Sequence, residues 1–132
     1  MIQLIHKFSF KKALSALLLS TLWSAAAQGA ALPADNPLAR DFAYCAGRLS
    51  AEAAHREDRE LMALKREMQD LLAAVIAPEA APSYEELRIA GHVSQTELLA
   101  LSRFSFDMEE ADRAAELAAR NIRQCRAMLL GG

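Results

Sequence analysis

Cys45 and Cys125 are the only thiols in the 132-residue chain, and their spacing decides which sulfur chemistry is open to them. A redox-active pair is usually Cys-x-x-Cys, and covalent attachment of a c-type haem needs Cys-x-x-Cys-His. Here 80 positions separate the two cysteines, which excludes both patterns. A nucleophilic thiol would have to be reduced, partly exposed and next to a cation. Arg48 is three residues from Cys45 and Arg126 adjoins Cys125, but both cysteines fall on apolar helical seams. A structural disulfide, Cys45 to Cys125, is therefore the expected chemistry.

Histidine and methionine raise the possibility of a non-covalent haem, for which His55, His92, Met62, Met68, Met108 and Met128 are the candidate axial ligands. His55 falls in the charged run His55-Arg56-Glu57-Asp58, His92 lies beside an apolar stripe, and methionines at helical spacing are ordinary core filler. Zinc needs three or four ligands grouped at one site. Two histidines on different helices, with both thiols oxidised, do not supply them. No metal, cofactor or catalytic residue is expected.

Arginines could hold an anionic substrate between helices. Arg113, Glu116, Arg120 and Arg123 run along one flank of the last helix, where Glu109 to Arg113 and Glu116 to Arg120 are also favourable four-residue ion pairs. That pattern suits a solvated face, and the flank is kept as a possible interaction surface.

The elements that would position these residues begin after a leader. Lys7, Lys11 and Lys12 precede an apolar run, Ala13 to Ala27, that ends in small residues, the layout of a secretory signal. A membrane-spanning helix needs about 20 strongly apolar residues, and this run is shorter and interrupted by Ser15, Ser20 and Ser24. The expected organisation is a cleaved signal peptide over 1–27, a flexible lead over 28–36, and a helical domain over 37–130, with no stable membrane insertion after cleavage. Export to the periplasm or the extracellular space follows, where an even pair of cysteines has one intramolecular connectivity.

Loss of the leader also shifts the charge, because three lysines and no acid go with it, leaving 12 basic residues against 17 acidic ones. An acidic chain of this size is unsuited to nucleic acid, whose phosphates demand clustered Lys and Arg. An anionic membrane surface is disfavoured for the same reason.

The mature chain reads as helices throughout. Asn36-Pro37 is a helix start, and Leu38, Phe42, Cys45 and Leu49 form its inward seam. Gly47, close to Cys45, suggests that another backbone approaches there. Leu61, Leu64, Met68, Leu71 and Val75 form a second seam, rotated by roughly a quarter turn from the first at about 100° per residue. The residues from Pro78 to Pro82 interrupt the helical pattern, and Ser83 with Glu86 forms a capping box that opens a third helix at Tyr84. Its expected inward positions are Leu87, Ala90, Ser94, Leu98, Leu101 and Phe104, widened by Ile89 and Val93. Asp107 with Glu110 opens the last helix, with Phe106 placed to pack on its first turn. There Met108, Ala111, Ala115, Ala118, Ile122, Cys125 and Leu129 recur at steps of three and four.

Whether 37–77 is one helix or two turns on the cysteines. At about 1.5 Å rise per residue, an unbroken first helix followed by two antiparallel ones would leave them roughly 40 Å apart, whereas a disulfide needs α-carbons within about 7 Å. A turn near Arg56 to Asp58 removes the conflict. The expected fold is an all-α, up-down-up-down four-helix bundle with helices near 37–55, 58–77, 84–104 and 108–130, stapled by Cys45 and Cys125. The leading functional expectation is a small, non-enzymatic exported adaptor that binds an exported protein partner. A bundle holding a hydrophobic ligand or haem comes next, and a helical enzyme acting on an anionic small molecule third.

Overall fold

The computed structural model describes residues 36–130. The expected signal peptide, its cleavage point and the lead up to Asp35 lie outside the described residues. Within them the chain forms four α-helices, α1 (Pro37–Arg56), α2 (Arg59–Val75), α3 (Ala81–Phe104) and α4 (Met108–Leu129), with one 3-10 turn at Pro78–Ala80.

The helix boundaries follow from local chemistry. The Asn36 side chain accepts a hydrogen bond from the Ala39 N–H at 3.2 Å, and Pro37 in the first turn has no N–H to leave unsatisfied. α1 ends at Glu57, the one described non-glycine residue with positive φ (56°). In this left-handed conformation the Glu57 and Asp58 N–H groups both turn back to the Ala53 carbonyl. Asp58 then caps α2, accepting from the Glu60 and Leu61 N–H groups at 2.8 and 3.2 Å. The break falls in the charged run with no glycine or proline present, because an αL residue and an Asp cap suffice.

α1 is the centre of the molecule. Ten of its 20 residues are buried, against two of 17 in α2. Its most extensive contact is with α3, followed by α2, while α2 and α3 barely meet. Small side chains bring α1 and α3 together: Ala39 and Ala43 lie against Tyr84. A β-carbon on Gly47 would overlap the Arg88 carbonyl oxygen and come within 2.7 Å of the His92 nitrogen. One on Gly91 would overlap the Tyr44 carbonyl. Residue numbers rise together along these pairs, so α1 and α3 run in the same sense. The close approach suggested by Gly47 is therefore made by α3. A second cluster joins Phe42, Cys45 and Leu49 of α1 to Leu61 and Met68 of α2 and Ile122 and Cys125 of α4.

Several sequence expectations are corrected. α3 begins three residues before Tyr84, at Ala81, because Pro82 falls in the first turn, where its missing N–H costs nothing. Ser83 is then inside the helix and caps nothing. Its buried face is Tyr84, Gly91, Gln95 and Leu99. Ile89, Val93, Leu101 and Phe104, expected inward, are exposed. The helix is oriented by the glycine that lets α1 approach, and by Gln95, whose bonds hold it inside. On α2, Leu71 and Val75 are also exposed, and Leu72 turns inward instead. The ends of two seams, Leu38 and Met108, face outward, since the neighbouring helices do not cover them. On α4, Ala114 and Asn121 are buried and Ala115 is exposed. Phe106 is fully exposed, so it does not pack on the first turn of α4. The Asp107 cap does form, accepting from the Glu109 and Glu110 N–H groups at 2.9 and 3.3 Å. The Ser105 hydroxyl, rather than the Glu110 carboxylate, accepts from the Asp107 N–H.

Candidate functional site

Cys45 and Cys125 are joined, with their α-carbons 5.4 Å apart. Both are buried among Phe42, Leu49 and Ile122, and the Met128 sulfur lies 3.8 Å from the Cys45 sulfur. This is the buried environment of a structural bridge.

Next to the bridge is a polar cluster that sequence reading missed. Glu52 of α1, Gln95 of α3 and Asn121 of α4 are all buried. Gln95 Nε2 donates to Glu52 Oε2 at 2.9 Å and to the Ala118 carbonyl at 3.2 Å, while Gln95 Oε1 accepts from Asn121 Nδ2 at 3.3 Å. The other Glu52 oxygen accepts from Arg56 Nε at 2.6 Å. Arg56 reaches solvent with 59% of its side chain exposed, so the buried carboxylate keeps a wet counter-ion. Three helices are held in register by partners that cannot be lost singly without stranding another group. The signal was in the spacing, since Glu52 follows Cys45 by seven residues and Asn121 precedes Cys125 by four, which puts each on the face of its cysteine.

The two histidines expected on different helices do share a site. His55 and His92 line an open groove of about 400 Å³ between the end of α1 and the second half of α3, with Leu99, Phe104 and Arg103. His92 Nδ1 is buried with no hydrogen-bond partner. The methionines weighed as haem ligands are elsewhere. Met68 is fully buried in the core, Met128 packs at the disulfide, and Met62 and Met108 are exposed. Among the described residues, no three His, Cys, Asp or Glu side chains are grouped as a metal would need.

The flank of Arg113, Glu116, Arg120 and Arg123 is exposed along its whole length. Arg113 bonds Glu109 at 2.5 Å and Arg120 lies 3.8 Å from Glu116, each pair within α4. Ion pairs this exposed contribute little stability and mark a solvated face.

An exposed set of apolar residues lies on α3. Ile89, Val93, Ala100 and Phe104 fall on one side of that helix, roughly opposite the buried Tyr84, Gly91, Gln95 and Leu99 at about 100° per residue, and Ala100 and Phe104 also border the groove toward α1. Phe106, in the turn that follows, and Met108, at the start of α4, are also exposed. Glu86 and Glu97 border the stripe. Comparison of the chain with protein-family models, curated proteins and solved structures finds no match.

Proposed function

We propose that the chain is a small, exported, non-enzymatic helical module that acts by binding another macromolecule. The carrying observation is that α3 has apolar side chains on its outward face as well as its buried one, with Ile89 at 49%, Val93 at 47% and Phe104 at 71% exposure. Scattered exposed hydrophobics are normal, but several aligned along one side of a helix are consistent with an interaction surface. Export is supported by the leader pattern and by the disulfide, which persists in oxidising compartments. Among the described residues no helix is long and apolar enough to cross a membrane. An up-down-up-down order of the helices fits the residue pairings of α1 with α3 and of Cys45 with Cys125.

Two measurements test this. The intact mass of exported protein should correspond to a chain beginning between Gln28 and Leu32, and retention of Met1 would remove the case for export. Crosslinking in the exported fraction should recover a macromolecular partner through α3, and a chain that remains uncrosslinked would count against the reading.

The groove between α1 and α3 favours a second reading, a hydrophobic ligand held by Leu99 and Phe104 with polar contacts from His92 and Arg103. Native mass spectrometry of protein isolated under mild conditions should then show a bound small molecule. The same spectrum tests for haem or metal.

A further inference from the structure

The charge around the outward face of α3 narrows what can cover it. Residues 36–130 carry 16 acids and 12 basic groups, and the stretch 81–113 alone holds seven acids against three arginines. The whole net negative charge of the helical domain therefore lies in α3, the following turn and the first turns of α4. The remainder is balanced.

Position sharpens the imbalance. Glu86 and Glu97 lie within about 80° of Ile89 around the helix, on one margin of the stripe. Asp107, Glu109, Glu110 and Asp112 surround Phe106 and Met108 at its end, and all are exposed. Two of the three arginines are already used, Arg88 by Glu85 at 2.6 Å and Arg113 by Glu109. Arg103 leans over the Phe104 ring, 5.5 Å from its centre. The surface is thus a set of apolar residues bordered by carboxylates, and among the described residues no cation is paired with Glu86 or Glu97.

From this we infer that the outward face of α3 is the docking site for a basic amphipathic helix of a partner protein, one presenting apolar side chains to Ile89, Val93, Ala100 and Phe104 with Lys or Arg along its edges. Spacing suits a helix: the four residues span about four turns of α3, the length over which an amphipathic partner repeats its anchors every three to four positions. A second copy of this chain is disfavoured, because an α3–α3 contact would bring the acidic margins together. An anionic lipid surface is disfavoured by the same charge. This inference rests on the macromolecule-binding reading and specifies its partner.

The test uses the disulfide-bonded protein beginning at Gln28, alongside the full-length chain, and two helical peptides of the same pattern, one of Leu and Lys, the other of Leu and Glu. Binding is read by fluorescence anisotropy of labelled peptide and located by amide chemical-shift changes. The Leu/Lys peptide should bind at least about tenfold more tightly than the Leu/Glu peptide, and weaken as salt rises from about 0.05 to 0.5 M. Shifts should centre on Ile89, Val93, Ala100 and Phe104. Val93→Glu with Phe104→Glu should abolish binding while the disulfide and helix content persist. Glu86→Lys with Glu97→Lys, which leaves the apolar strip intact, should invert the peptide preference. Equal binding of both peptides, binding of neither, shifts centred on Arg113 to Arg123, or self-association through α3 would each overturn the inference. A natural partner that is recovered by crosslinking but binds Val93→Glu normally would overturn this surface and leave macromolecule binding standing. Site-specific peptide binding without any natural partner would support the surface and count against that broader reading.

Discussion

Gly47 and Gly91 occupy the same crossing of α1 and α3, and each is pressed against the backbone of the helix that carries the other. The Arg88 carbonyl fills the place of a Gly47 side chain, and the Tyr44 carbonyl that of Gly91. Two effects compete on substitution by alanine. In an exposed helix, glycine to alanine stabilises by up to about 1 kcal/mol. Here the obstacle is backbone in the most extensive helix contact, which cannot swing aside like a side chain, and overpacking of that kind costs about 1–3 kcal/mol. Gly47→Ala and Gly91→Ala should therefore each lower the denaturant midpoint. A midpoint that rose in either variant would show that the helices separate easily and that the crossing is not what orients α3.

The disulfide joins α1 to α4, a pair with a much smaller contact than α1 and α3. Its 80-residue separation makes the entropic effect on the unfolded chain large, about 4 kcal/mol on the loop-closure model. Cys45→Ser or Cys125→Ser should lower stability by about 2–5 kcal/mol. The remaining thiol, surrounded by Phe42, Leu49 and Ile122, should react with a thiol reagent only at the rate of unfolding. Rapid labelling in native buffer would show that α4 detaches once the bridge is gone.

The parts of the fold legible in the sequence are those written in single residues with one physical meaning. Asn36 and Asp107 cap helices, and Pro78 to Pro82 mark an interruption. The two cysteines, required to meet, placed a break in a charged run that local propensity would have carried through. What was not legible is the rotation of α3. Apolar periodicity pointed to Leu87, Ala90, Ser94 and Leu98, but the buried line runs through Gly91 and Gln95, one lacking a side chain and the other polar. A hydrophobic pattern cannot register either. The same limit hides the candidate site, because apolar periodicity places Ile89 and Val93 in the core that they face away from. It also hid α1 as the central helix, since alanines at 39, 43, 46, 51 and 53 give a weak apolar signal while permitting the closest packing.

Acid titration should separate one surface pair from the rest. The Arg88 guanidinium hydrogen-bonded to Glu85 holds its carboxyl below the usual 4.5, and burial opposes this only partly. A carboxylate whose folded pKa is depressed contributes stability above its unfolded pKa and loses it as pH falls through the folded value. The contribution of this pair should therefore be complete above about pH 4.5 and fade below it. Because Glu85 is about half exposed, its effect is at most about 0.5 kcal/mol and screened by salt. Glu85→Gln should flatten the melting-temperature profile slightly below pH 4.5 at low salt only. An effect confined to neutral pH would point to a different carboxylate.

Gln95 should be the most damaging single polar substitution. It is fully buried, and it ties α3 to both α1 and α4, through Glu52, the Ala118 carbonyl and Asn121. Gln95→Leu has nearly the right volume but strands Glu52 Oε2 and Asn121 Nδ2, and unsatisfied buried groups cost about 1–3 kcal/mol, more where charged. Gln95→Glu offers Glu52 a second carboxylate in place of a donor, so one of the two must bind a proton for the helices to stay together. Its stability should fall as pH rises from about 5 to 8. Glu52→Gln combined with Gln95→Glu restores a donor opposite an acceptor, and should recover most of the loss if the bond between these two residues sets the register. If the double variant is as unstable as Gln95→Glu alone, the cost arises from the contacts to α4, and Asn121→Ala should then reproduce it.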